Sequence, residues 1–197
     1  MITCFLTDMI SSPGGQPTND DHCDSLGLDQ GACWVLADGQ GGGENSARLA
    51  CDAILESFRA GPTVTQLGLE RHLDAAKRLI AGQADFALLG KVPAVAVLVS
   101  NHSCAVCAQT GDTRLIHFRG GKGIVQSNSM NPLSIEAGDA FLLCSNGFWE
   151  LLSELEMEIE YSKAKNPSEW LRGMESRLFR KIEAGGDNYS AVAVFAL

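Results

Sequence analysis

The sequence has no apolar run long enough to span a bilayer. Its longest, around Val92 to Val99, falls far short of the roughly 20 residues a membrane helix needs. The opening Met1-Ile2-Thr3-Cys4-Phe5 lacks a basic stretch ahead of an apolar one, so it reads as mature protein and not as a signal peptide. Basic charge is scarce. Lys and Arg total 15 against 24 Asp and Glu, a formal net charge of −9, which argues against a nucleic-acid backbone as partner. An acidic chain that handles phosphate therefore needs metal ions or a local basic spot. Internal repeats, low-complexity stretches and linkers are also missing, and 197 residues suit one domain, 1–197, without room for a second core.

A second CxxC or CxxH is absent too. The close pair Cys104 and Cys107 therefore lacks the partners of a zinc site, and in a strand residues three apart point to opposite faces. The seven cysteines are odd in number, dispersed and mostly inside apolar runs, as are buried thiols of a reducing compartment. That pattern places the protein in the cytoplasm.

What is present is a regular alternation of apolar elements. Short apolar runs at Thr3–Leu6 and Trp34–Ala37 flank a polar, turn-rich stretch from Ser11 to Asp24. Ala47, Ala50, Cys51, Ile54 and Phe58 then recur at helical spacing until Gly61-Pro62. Leu69, Leu73, Ala76 and Ile80 mark a second amphipathic helix, and Leu171, Met174, Leu178 and Ile182 a third. Between them the chain is β. Ala94 to Ser100, Phe141 to Cys144 and Ala191 to Leu197 are apolar at both parities, as strands covered on both faces are. Asn101-His102 and Gly120-Gly121 read as hairpin turns. Hairpins imply antiparallel pairing, and doubly covered strands need layers on each side. The reading is an α+β fold, a four-layer αββα sandwich with two central antiparallel β-sheets. Trp34, Trp149 and His117 read as core, and His72 and His102 as solvated. His22 reads as a surface or strand residue.

Acidic clusters sit at strand ends or in tight turns: Asn19-Asp20-Asp21, Asp38-Gly39, Gly111-Asp112 and Asp187-Asn188, with Ser145-Asn146-Gly147 as an amide-bearing counterpart. Burying an isolated charge is costly, so packing explains such carboxylates poorly. Oxygen donors of this kind suit hard divalent cations such as Mg²⁺ or Mn²⁺. The simpler alternatives are turn and helix capping at each site, or structural Ca²⁺ binding. The Asp38-Gly39-Gln40-Gly41-Gly42-Gly43 loop does not satisfy a dinucleotide fingerprint, because Glu44 stands where the last glycine belongs and a second helix follows the first.

In order along the chain, these clusters resemble the PPM-type (protein phosphatase 2C) metal-dependent Ser/Thr phosphatases. Asp38 to Gly42 is similar to that family's "DGxGG", Gly111 to Arg114 to "GDSR", Gly138 to Glu150 to "GDxLLLCSDGLWE", and Asp187-Asn188 to the closing "DN". The resemblance implies the same αββα sandwich and two Mg²⁺ or Mn²⁺ ions. Asp38 would bridge them, the Gly39 carbonyl would assist, and Asp187 would ligate one ion. Asp20 and Asp21 match the acidic part of "NED". Asp112 matches the acid of a third, weaker metal. The implied activity is hydrolysis of phosphoserine or phosphothreonine in a phosphoprotein by a metal-activated water, opposite a cognate Ser/Thr kinase pathway. Asp38, Asp187 and Asp21 would carry the catalysis.

Three positions depart from the family. Gln16 stands where the phosphate-gripping Arg of "RxxNED" belongs, and offers a hydrogen bond without a charged fork. Asn146 replaces the Asp of "SDG", keeping an amide oxygen as a metal donor but losing a charge. The stretch between Asp112 and Asn146 is too short for the family's flap. Arg48, one turn into the first helix, is the candidate replacement for the missing phosphate-binding Arg. The first two changes both weaken metal and phosphate binding, so the alternative function is a catalytically impaired pseudophosphatase acting as a binding or regulatory module.

Overall fold

The structure is a computed structural model and describes residues 4–39, 44–82, 92–126, 132–182 and 186–197. Part of the glycine loop, 40–43, lies outside the described residues. The strands are β1 (Phe5–Ser12), β2 (Asp21–Leu28), β3 (Gly31–Asp38), β4 (Ala94–Ser100), β5 (Cys104–Gln109), β6 (Arg114–Arg119), β7 (Lys122–Val125), β8 (Leu133–Ser134), β9 (Ala140–Cys144) and β10 (Tyr189–Ala196). The helices are α1 (Glu44–Ala60), α2 (Gln66–Ala81), α3 (Asn146–Trp149), α4 (Glu154–Lys163) and α5 (Pro167–Leu178). Two five-stranded antiparallel sheets result, ordered β1-β10-β9-β6-β7 and β2-β3-β4-β5-β8.

The period of two in the strands distributes the core into layers. In β3, Cys33, Val35 and Ala37 face α1 and α2, where they meet Ala47, Ile54, Phe58 and Leu69. The alternate residues Trp34 and Leu36 face the other sheet, against Leu143, Val192 and Val194. The far side of that second sheet packs Ile116, Leu142 and Ala193 onto Phe148, Trp170, Leu171 and Met174. This is the αββα sandwich. Among the described residues, no helix is long and apolar enough to cross a membrane.

Local chemistry sets the boundaries. The Thr65 side chain accepts from Gly68 N–H to start α2, Ser153 and Glu156 form a capping box on α4, and Asn166 caps α5 ahead of Pro167 at its first position. Asn101 Oδ1 accepts the N–H groups of Ser103 (2.8 Å) and Cys104 (2.9 Å), closing the β4–β5 turn. Gly120 and Gly121, at φ of 59° and 81°, form the two-residue turn between the paired Arg119 and Lys122.

Several expectations are corrected. Residues 13–20 of the stretch read as turn-rich are turn and loop, but β1 ends and β2 begins inside it: both are edge strands with one partner, half exposed, so their patterning is polar. Helix α4 leaves no apolar stripe in the sequence, because its exposed face is charged and among its residues only Met157 is fully buried. Ile182 lies past the end of α5 yet packs on the same cluster. His72 is buried, not solvated. It shares a 2.9 Å hydrogen bond with Ser57 and meets Phe58 edge-on, and burial pulls its pKa down to about 4, so the ring is neutral at physiological pH. Trp149 is half-buried and packs at the edge of the core, with Arg114 over its ring, 3.4 Å from the centroid. Trp34 and His117 are buried as expected, and all seven cysteines are free thiols.

Candidate active site

The site is built at one end of the β2–β3 hairpin. The register places Asp21, the first residue of β2, directly opposite Asp38, the last of β3. Side chains directly opposite in an antiparallel pair have Cβ atoms about 4.5–5.5 Å apart, and like charges there repel. Both residues share parity with the inward-facing Cys23 and Leu36, so both carboxylates point into the space between the sheets. Asp21 is 4% exposed and Asp38 8%. Gly39 N–H donates to the Asp20 carbonyl (3.1 Å), extending the pairing one step beyond the strands.

The facing sheet supplies the other half. Where β9 ends, Ser145 Oγ donates to Asp21 Oδ2 at 2.8 Å and accepts Ser190 N–H at 2.9 Å, joining both sheets through one hydroxyl. Asp187 precedes β10 beside it. Asn146 Nδ2 donates to Asp187 Oδ2 at 3.2 Å, while Asn146 Oδ1 accepts Gly147 N–H at 2.8 Å. Asn188 is a staple: its Oδ1 accepts Asp20 N–H (2.8 Å) and its Nδ2 donates to the carbonyls of Pro13 and Thr18 (2.9 Å each). The backbones are pressed together. A Cβ on Gly147 would lie 2.1 Å from the Asn188 carbonyl oxygen, and one on Gly14, at φ +61°, the same distance from that of Asp187.

These contacts leave the Asp21 carboxyl with an electrostatic problem. Burial raises its pKa first, the Asp38 carboxylate raises it further and Asp187 adds a smaller push, while Ser145 and Ser190 offset part; the result is about 7. A cation among these carboxylates would reverse that balance. Among the described residues, no three His, Cys, Asp or Glu side chains are drawn together tightly enough to grip one ion. The donors on offer are the opposed Asp21 and Asp38, Asp187 from across the gap, and the neighbouring backbone. An oxygen-only set of carboxylates fits Mg²⁺ or Mn²⁺ and not a thiophilic metal.

The structure thus brings Asp20, Asp21, Asp38, Gly39, Asn146 and Asp187 to one end of the sandwich. Asp112 is exposed in the β5–β6 turn, where its carbonyl accepts Trp149 Nε1 at 2.7 Å, so it is moored to α3, the helix that begins at Asn146. Gln16 sits on the exposed loop whose Gly15 N–H donates to the Gly186 carbonyl (2.9 Å), next to Asp187. Arg48 lies on the α1 surface with its guanidinium 3.8 Å from Asp52, one turn along the same helix. His22 is half-buried in β2, and its carbonyl accepts from Cys51 Sγ at 3.6 Å. Sequence reasoning missed Ser145 and Ser190 as partners of Asp21. Ser145 carried a signal in its place between a buried strand and Asn146; Ser190, inside an apolar strand, carried none.

No family model matches the sequence, and no curated protein does at a significant level. Solved structures do match. The chain is similar to PppA, described as a key regulatory component of T6SS in Pseudomonas aeruginosa, at 21% identity and a TM-score of 0.77, covering 100% of this chain and 99% of that one. The catalytic domain of the serine/threonine phosphatase PstP, solved in complex with two manganese ions, superposes with a TM-score of 0.82 at 16% identity, covering 98% of each chain. The PPM Ser-Thr phosphatase MsPP from Mycobacterium smegmatis, in complex with cacodylate, gives a TM-score of 0.70 at 16% identity, covering 100% of this chain and 99% of that one. The fold is therefore the one seen in PPM-type phosphatases.

Proposed function

We propose that this chain is a metal-dependent phosphoprotein phosphatase that hydrolyses phosphoserine or phosphothreonine. The observation that carries the reading is the meeting of Asp21 and Asp38, opposed across one hairpin, with Asp187 delivered from the facing sheet. A shared fold is compatible with many activities, whereas these side chains are particular to a cation-binding chemistry.

Asp38 and Asp187 would hold a pair of Mg²⁺ or Mn²⁺ ions, with the Gly39 carbonyl, Asp20 and Asp21 completing or supporting the shell and Asp112 serving a weaker third. When bound, the ions supply an activated water and neutralise phosphate charge. The protein's own part is positional. Ser145 fixes the Asp21 carboxyl, and Asn188 fixes the backbone of Asp20 and the loop 13–18. Gln16, on that loop, would hydrogen-bond a phosphate oxygen, and Arg48 would be the second candidate for phosphate. The substrate would be a phosphorylated protein of a Ser/Thr kinase pathway in the cytoplasm, a compartment that keeps seven free thiols reduced.

One observation favours the alternative of a catalytically impaired binding module. Asn146 turns its NH₂ toward Asp187 and spends its amide oxygen on Gly147 N–H. In that orientation the amide donates a hydrogen bond to Asp187 and has only the second lone pair of its oxygen left to offer a cation. Hydrolysis of p-nitrophenyl phosphate and of a phosphothreonine peptide, with Mn²⁺ and with chelator, decides between the two. Mn²⁺-dependent turnover lost in Asp38→Ala, together with lost Mn²⁺ uptake by calorimetry, is the expected result. Mn²⁺ uptake unchanged in Asp38→Ala refutes the site; uptake without turnover selects the binding module.

A further inference from the structure

An open groove of about 740 Å³ begins one helical turn from Asn146, lined by Trp149, Glu150, Leu151, Glu154 and Leu155, with Arg114 and Lys181 along its sides. It is tied to the candidate site through α3. Trp149 closes the same four-residue helix that Asn146 opens, and its indole N–H is anchored on the Asp112 carbonyl at 2.7 Å. Leu155, 62% exposed, supplies an apolar wall.

Of the groove's two cations Lys181 is ion-paired, while Arg114 is stacked on an aromatic ring and, among the described residues, forms no ion pair, so its single charge stands against two carboxylates. The Arg114 guanidinium lies on the Trp149 ring. Lys181 Nζ donates to both Glu156 carboxylate oxygens at 2.7 Å and to the Leu151 carbonyl at 2.8 Å. The anions are not all engaged: among the described residues Glu150 and Glu154 form no ion pair, and both are exposed. Glu154 gains something from the first turn of α4. Glu150 has no such benefit, since it caps the C-terminal end of α3, where backbone carbonyls already point. The groove therefore offers an aromatic edge, an apolar wall and two carboxylates lacking cations.

We infer that this groove docks the segment of a phosphoprotein substrate flanking the phosphorylated residue, and that it selects segments carrying Lys or Arg. The inference rests on the phosphatase reading for its link to turnover, and on charge complementarity for its occupant. Asn146 and Trp149 share one helical turn, so a cation close in sequence to the phosphoresidue would meet Glu150 and Glu154 while the phosphate lies at the carboxylate cluster. The aliphatic stem of Lys or Arg would lie on Leu155 and the Trp149 edge.

The test compares two phosphothreonine peptides, one with Lys and Arg in the flanks and one with Gln at those positions. Exposed ion pairs contribute modestly, so two of them give about a fivefold higher kcat/KM for the basic peptide, shrinking as salt is raised. In the double variant Glu150→Gln/Glu154→Gln the preference should fall to about unity, with p-nitrophenyl phosphate hydrolysis unchanged because that substrate never enters the groove. Equal kcat/KM for both peptides in the unaltered protein, or a preference that survives the double variant, overturns the inference. If p-nitrophenyl phosphate is not hydrolysed at all, the phosphatase reading fails separately. The groove is then read by calorimetric binding of the same peptides: tighter binding of the basic one, lost in the double variant, supports it, and indifference refutes it.

Discussion

Replacing Asp21 with Asn separates the metal-free from the metal-loaded protein by sign. The Asp21 pKa is raised from 3.8 to about 7, chiefly by burial and by the Asp38 carboxylate opposite. A raised folded-state pKa means the native state prefers the neutral carboxyl. The associated stability is fully present below about pH 4, is lost as pH rises toward 7, and is constant above that. At about 1.4 kcal/mol per pH unit, the loss amounts to about 4 kcal/mol at neutral pH. An amide has the same shape, still accepts from Ser145, and offers an NH₂ to the Asp38 carboxylate. In chelator, urea unfolding of Asp21→Asn should therefore match the unaltered protein at pH 4 and exceed it by about 2–4 kcal/mol at pH 8. With Mn²⁺ at a hundred times its Kd, the unaltered protein should gain about 2.7 kcal/mol and the variant much less, which closes the gap. Parallel stability curves across pH in chelator would refute the account of Asp21 as an uncompensated buried acid. An equal Mn²⁺ response in both proteins would remove it from the metal site.

Two further outcomes follow from the same geometry. Asn146→Asp replaces an NH₂ directed at Asp187 with a carboxylate; Mn²⁺ affinity by calorimetry should rise about tenfold or more, and stability in chelator should fall as a further like charge joins the cluster. Gly147→Ala places a methyl 2.1 Å from the Asn188 carbonyl oxygen and 3.3 Å from Asp187 Cβ, so the backbone must move. Urea denaturation should show a loss of about 1–3 kcal/mol, with weaker Mn²⁺ binding because Asp187 moves with its neighbour.

Much of the architecture is written in periodicity. The apolar stripes of α1, α2 and α5, and the doubly buried β4, β9 and β10, each follow from a local pattern that burial on one stripe or on two faces requires. β2 and α4 do not follow, because an edge strand and a partly exposed helix bury too little for composition to register. For the same reason His72 misreads as solvated: a histidine on a helix says nothing about whether Ser57 stands ready to bond it.

The sequence by itself determined which oxygen donors are available and that they lie at strand ends, since a run apolar at both parities is covered on both faces and leaves charge to its ends. Only the tertiary structure decided what those donors do. Strand register sets Asp21 against Asp38, and the stacking of one sheet on the other brings Ser145 and Asp187 to them across more than a hundred residues of chain. Asn146 shows the division most clearly. Its identity removes a charge from the cluster, but only the packed backbone of Gly147 fixes which end of the amide faces Asp187, because a side-chain hydrogen bond has direction and a sequence does not.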